Sequence, residues 1–298
     1  MGDEPVAAVS SSHRRVLAAV ALAYAAAAVA ALAAGWAVRG RHPILVAAVA
    51  DVAATLVVFA FGVAHDNSSL YDPYWSVAPV PIAAWWAAVG DAPALRKTLV
   101  LVLVTAWATR LTANCLVRWR SLADEDFRYV EIRRKAGRAY WPASLAGIHL
   151  MPTLWVFLGL LPLWPALGLA GRPPGALDAV AALVTAGAIL VEATADLQLR
   201  RHLASRPAPE AVLDRGLWAW SRHPNYLGEV AFWWGLWLFG VAAAPGWAWT
   251  AIGPLSITCL FAFVSVPWMD RRMASRHPEW AARTRGVPAL LPWPRRRS

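Results

Sequence analysis

RGLWAWSRHPNYLGEVAFWWGLW, Arg215 to Trp237, turns from a basic, aromatic loop into an apolar helix. Pro224 lacks a backbone N–H and holds φ near the helical value, so it suits the first helical position, with Ser221 or His223 to cap it. The helix therefore starts inside the motif. Its first turn exposes unpaired N–H groups and the positive end of the helix dipole, with Arg222 and His223 alongside, which suits a phosphate. Gly228 removes a side chain where another helix or a flat ligand approaches, and Asn225 and Glu229 lie four apart on one face. The chain is continuously apolar after Glu229, so the Glu229 carboxylate needs a partner, a proton or water-filled surroundings. The competing reading is a helix cap at a membrane surface, with the arginine and histidine among lipid head groups.

Composition extends this reading to the whole chain. Hydrophobic residues make up 59% of 298 positions and mean hydropathy is +0.45, too apolar for a soluble domain of this length. The expected fold is all-α: a polytopic transmembrane bundle of seven to eight spans, one membrane domain over 1–298, with two N-terminal spans in 16–64. The apolar segments are 16–38, 43–64, 76–90, 95–117, 143–168, 177–199, 226–243 and 247–268, most of them near the ~20 residues a bilayer core requires. The third and seventh are short. The first comes after His13, Arg14 and Arg15 but exceeds a signal-peptide apolar run, so it is expected to be retained. A net charge of +10 raises the possibility of nucleic acid, yet the basic residues lie between apolar spans, where cytoplasm-facing loops explain them. The two cysteines, Cys115 and Cys259, fall inside helical segments and support neither a disulfide framework nor a metal site.

Several polar positions stand out against this background. Asp51 interrupts the second span, either lining a polar cavity or hydrogen-bonded beside Thr55. The connection 65–76, HDNSSLYDPYWS, reads as an interfacial turn or as a substrate-facing mouth in which Tyr71 or Tyr74 donates a proton and Asp72 orients the donor. Arg110, Asn114 and Arg118 recur every four residues along one helix face, as do Glu192, Asp196 and Arg200. The stretch 124–135 mixes apolar and charged residues in the manner of an interfacial helix. Pro152, Pro162 and Pro165 predict kinks in the fifth span.

SRHPNYLGE resembles the signature of steroid 5α-reductase-like membrane proteins, close to the RHPNYLG of sterol reductases and the HPxYxG of isoprenylcysteine methyltransferases. EDFRYVEIRRK, residues 125–135, resembles a stretch recurrent in bacterial members of this group, the DUF1295 type. The resemblance covers about residues 65–298. It implies an integral-membrane oxidoreductase that uses NADPH to reduce a carbon–carbon double bond of a lipid-like substrate, whether steroid, isoprenoid or fatty. Asp196, Arg200, Asn225, Gly228 and Glu229 match the family's cofactor-holding pattern, and Glu192 stands where the family has Asn. Arg222, His223, Tyr226, Asn114 and Arg118 complete the expected cofactor set. The family's tail contacts and its substrate-side Gln-Glu pair have no clear counterpart, so steroid specificity does not carry over. The alternatives are an S-adenosylmethionine-dependent methyltransferase of the isoprenylcysteine type and a non-catalytic membrane module.

Charge asymmetry supplies the orientation. Residues 118–138 carry seven Arg/Lys and 200–215 four arginines, whereas 169–177 and 243–247 are nearly uncharged. With eight spans this places the motif-bearing loops and both termini on the cytoplasmic side of a bacterial inner membrane.

Overall fold

The computed structural model describes residues 6–205 and 211–292, so Trp293, Pro294 and part of the 200–215 loop lie outside the described residues. Helices succeed one another in the order α1 (Val6–Ala37), α2 (Pro43–Ala64), α3 (Tyr74–Val77), α4 (Pro79–Val89), α5 (Ala94–Arg118), α6 (Phe127–Ala136), α7 (Tyr140–Ser144), α8 (Met151–Leu160), α9 (Leu163–Gly168), α10 (Ala176–Ala204), α11 (Pro224–Ala243), α12 (Ile252–Leu260), α13 (Val266–Arg276) and α14 (Trp280–Arg283). Among the described residues there are no strands. Seven helical stretches among the described residues are long and apolar enough to cross a membrane: 11–37, 43–64, 94–118, 127–160, 176–204, 224–243 and 245–276. The protein is an all-α, multi-pass membrane protein. Large apolar side chains such as Leu32, Leu183 and Phe263 face outward, with Phe263 77% exposed, which fits contact with lipid rather than water.

Seven is the lower of the two counts expected, and the short third segment accounts for the difference. Segment 76–90 breaks at Ala78–Pro79 into α3 and α4, and the 11 residues of α4 reach about 17 Å at 1.5 Å per residue, well short of a ~30 Å hydrocarbon core. The kink expected from Pro152 takes the form of a π-helical segment, Leu145–Leu150, between α7 and α8. A proline ring clashes with the carbonyl four residues before it; widening the preceding turn relieves that clash and keeps Met151 N–H bonded to the Ala146 carbonyl. The same device recurs at Phe261–Ser265, just before Pro267. From Phe127 the stretch 124–135 forms the short helix α6, capped by Asp126, which accepts the Arg128 N–H, and ended by Gly137 at φ 53° before α7 begins.

The described residues gather into two compact units. One comprises residues 1–90 and 104–164, the other 91–103 and 165–298. In the first, the connection after α2 is no surface turn. Ser68, Ser69, Leu70 and Tyr71 are buried, and Tyr71 and Tyr74 pack with Ala27, Ala54 and Val58. Asn67 starts this turn by accepting the Ser69 N–H at 2.8 Å, while its own amide donates to the carbonyls of Leu122 and Asp124. The second unit is built on α10 and α11. Gly228 and Gly235 of α11 lie against the backbone of α10 near Ala188–Glu192 and Thr185, so the two helices run antiparallel in close contact. Arg96, fully buried at the start of α5, fastens the opposite end of this unit through Nε and Nη2 to both carboxylate oxygens of Asp178, at 2.6 and 3.0 Å, and through Nη1 to the Arg172 carbonyl.

Candidate functional site

Within the second unit, the motif helix begins as its proline requires: Pro224 is its first residue and His223 its cap. The His223 side chain makes no capping bond; Ser221 Oγ instead accepts the His223 N–H at 3.2 Å. Arg222 and His223, expected to grip phosphate, are held by an acid. Asp270 of α13 accepts from Arg222 Nη2 and pairs with His223 Nε2, both at 2.8 Å. The C-terminal segment then clasps the same residues. Arg222 N–H and His223 N–H donate to the carbonyls of Pro288 and Ala289, Arg222 Nη1 donates to Val287 and Ser221 Oγ to Ala289. Tyr226 stacks on the His223 ring at 5.2 Å and leans on Phe261. Asp270 thus partners both side chains, while Arg222 Nε is buried with no hydrogen-bond partner among the described residues. Asp270, 47 residues from His223, was not among the residues that the sequence singled out.

Gly228 serves the helix contact and leaves no room for a flat ligand. A Cβ there would lie 2.7 Å from the Glu192 Cβ and 2.8 Å from the Ala188 carbonyl. Glu192 and Glu229 are both buried, and Glu229 Oε1 accepts the Trp233 indole N–H at 2.8 Å, the partner that its apolar surroundings demand. Because the helices are antiparallel, Asn225, one turn before Gly228, lies beside the α10 turn that comes after Glu192 and carries Asp196. The side-chain amide oxygen of Asn225, Oδ1, is buried with no hydrogen-bond partner among the described residues. It accepts N–H or O–H donors only, so it fits an amide or hydroxyl of a nucleotide cofactor and not a phosphate. Arg200, one turn past Asp196, is exposed. Asn114 and Arg118 belong to the first unit, where Arg118 is exposed and its Nε donates to the Asn114 carbonyl of its own helix.

The first unit carries a second concentration of buried polar groups. Tyr74 donates to Asp51 Oδ1 at 3.0 Å, which settles Asp51 as the tyrosine's partner. Tyr71 and Thr55 each bond Thr153, at 2.8 and 2.9 Å. Burial, and then the neighbouring Asp51 charge, holds the Tyr74 phenol far above its ordinary pKa, so it stays protonated. Asp72 does not orient either tyrosine. It accepts from Tyr129 of α6, and burial pushes its carboxyl up to about 6 against the lowering effect of Arg128. Thr153 and His149, a turn apart around the π segment, gave no motif; only the fold brings them to Tyr71, whose ring lies 4.9 Å from that of His149.

The family model described as protein of unknown function (DUF1295) matches residues 58–284. An uncharacterized protein of Schizosaccharomyces pombe is 27% identical over 231 residues, 69% of this chain and 67% of its own length. No solved structure matches the chain.

Proposed function

The chain belongs to the DUF1295 family, and for this member we propose an integral-membrane oxidoreductase that reduces a carbon–carbon double bond of a lipid-like substrate with NADPH. The observation that carries this reading is Asn225: a buried side-chain amide oxygen with no partner among the described residues, next to the turn that bears Asp196, at the position where the reductase resemblance puts a cofactor contact. A buried acceptor of this kind costs on the order of 1–3 kcal/mol unless a donor meets it. Asn225, Asp196 and Glu192 accept N–H and O–H groups of the nucleotide. Glu229 contributes its carboxylate, and Arg200 stands at the exposed end of the row. NADPH, when bound, supplies the hydride. A tyrosine hydroxyl is the proton donor that the resemblance calls for, and Tyr74, bonded to Asp51, and Tyr71 are the candidates within the first unit. This assigns Asp51 the positioning role first sought in Asp72.

Titration of the purified protein in detergent with NADPH and with S-adenosylmethionine, monitored by thermal unfolding, tests the reading. NADPH at one hundred times its Kd is expected to stabilise by about 2.7 kcal/mol. Stabilisation by S-adenosylmethionine alone would turn the assignment to a methyltransferase, and a response to neither would leave a non-catalytic module.

A further inference from the structure

A second set of buried groups in the first unit includes none of the residues assigned above to the cofactor or to proton donation. Between α6 and the connection after α2 lies an open cleft of about 570 Å³, lined by His65, Asp66, Asp124, Glu125 and Arg133 among others. Glu125 forms its inner wall, and four groups lead inward from it. Tyr140 donates its hydroxyl to Glu125 Oε1 at 2.9 Å. The Tyr140 hydroxyl lies 2.7 Å from Ser68 Oγ, and Ser68 Oγ lies 2.8 Å from Ser144 Oγ. Ser144 Oγ is 3.5 Å from His149 Nδ1, the widest step, and Nδ1 lies 3.0 Å from the Ser144 carbonyl. Ser68, Ser144 and His149 are each 0% exposed and Tyr140 is 3% exposed.

Proton bookkeeping orients the row. A backbone carbonyl only accepts, so His149 carries its proton on Nδ1 and keeps a lone pair on Nε2. With Tyr140 donating to Glu125, Ser68 donates to Tyr140, Ser144 to Ser68 and Nδ1–H points at Ser144. Every donor then faces the carboxylate. At the inner end, Nε2 is buried without a hydrogen-bond partner among the described residues, in a ring set against Phe59 and Tyr71 at 5.1 and 4.9 Å. Arg133, which pairs with Glu125 and Asp66, is the charged group on the outer end.

We propose that Glu125, Tyr140, Ser68, Ser144 and His149 form a proton path between the surface cleft and a buried imidazole. A proton accepted at Nε2 makes an imidazolium. Its Nδ1–H passes to Ser144 Oγ while the hydroxyl protons of Ser144, Ser68 and Tyr140 each move one place outward, and Glu125 ends as the neutral acid. Every hydroxyl gains one proton as it loses one, and the imidazole is left protonated on Nε2. With the hydroxyls turned, the same steps run in reverse: Glu125 gives up a proton, Nδ1 takes one and Nε2–H is handed inward, beside Tyr71. A reduction that consumes one proton per turnover needs such an inlet. That use rests on the reductase reading; the path itself does not.

The test therefore needs no substrate. In protein labelled with 15N-histidine and held in detergent, with the His149 signals assigned by their loss in His149→Gln, exchange of the Nδ1 proton with deuterated water is measured by NMR. Tyr140→Phe and Ser68→Ala interrupt the path and are expected to slow exchange at least tenfold; Thr153→Val removes a nearby hydroxyl outside it and is expected to leave the rate unchanged. Wild-type exchange in Tyr140→Phe and Ser68→Ala overturns the proposal, and so does faster exchange, which would mean that local opening controls access. Equal slowing in Thr153→Val overturns it as well. Should Tyr140→Phe fail to fold, Ser68→Ala decides alone. Failure to bind NADPH would remove the reductase reading and leave this result standing.

Discussion

Replacing Gly228 by alanine separates the two roles that a glycine in this motif can have. The added Cβ would lie 2.7 Å from the Glu192 Cβ, 2.8 Å from the Ala188 carbonyl oxygen and 2.9 Å from the Glu192 amide nitrogen. Two of those atoms are backbone of α10, so no side-chain end can swing away and the helices must part. Overpacking of this kind costs about 1–3 kcal/mol, and the gain in helix propensity from Gly to Ala offsets up to about 1 kcal/mol of it. Gly187 on the same α10 is the internal control: a Cβ there meets nothing within 4 Å, so Gly187→Ala should stabilise by roughly 0.5–1 kcal/mol. The two variants are expected to move stability in opposite directions, with a gap of about 2 kcal/mol, in denaturant titrations in mixed micelles. Equal stability of Gly228→Ala and Gly187→Ala would refute the close-packing argument. Unchanged stability of Gly228→Ala with lost NADPH affinity would return Gly228 to the ligand.

Three further substitutions test other contacts. Asp178→Asn leaves the Arg96 guanidinium buried without its bidentate partner and should cost about 3–5 kcal/mol; the double variant Arg96→Met with Asp178→Asn should recover part of this, and a wild-type unfolding midpoint in Asp178→Asn would contradict the burial of the pair. Glu229→Gln keeps an oxygen for the Trp233 indole, so the protein should fold normally yet bind NADPH at least roughly tenfold more weakly, about 1.4 kcal/mol; wild-type affinity would confine Glu229 to packing. Asp72, with its carboxyl raised from 3.8 to about 6 chiefly by burial, binds a proton more tightly folded than unfolded. Stability should therefore fall as pH rises from about 4 to 6, by on the order of 3 kcal/mol for two units, and Asp72→Asn should flatten that decline; an identical pH profile in wild type and Asp72→Asn would show that the carboxyl is not destabilised by its site.

The features that the sequence determined by itself were local or additive: apolar runs of bilayer length, a helix start dictated by Pro224, a kink announced by Pro152. These stem from backbone chemistry and hydrophobic length, which need no knowledge of distant neighbours. The periodicity also singled out Glu192, Asp196, Asn225 and Glu229 as residues requiring an explanation, because a polar group in an apolar helix is costly wherever the helix lies. Only the tertiary structure decided the partners. Arg222 and His223 can donate hydrogen bonds in any fold, but whether they meet a phosphate or Asp270 depends on where α13 comes back, 47 residues later. Tyr74 and Asp51 are 23 residues apart and Tyr140 and Ser68 are 72 apart; neither spacing carries a period that sequence alone could reveal. The break of segment 76–90 lay between the two levels. Its shortness marked it, yet the buried turn before it, held by Asn67 and the carbonyls of Leu122 and Asp124, is what makes Tyr71 and Tyr74 core residues, because a hydrogen-bonding loop can be buried only when other parts of the chain satisfy its backbone and side chains.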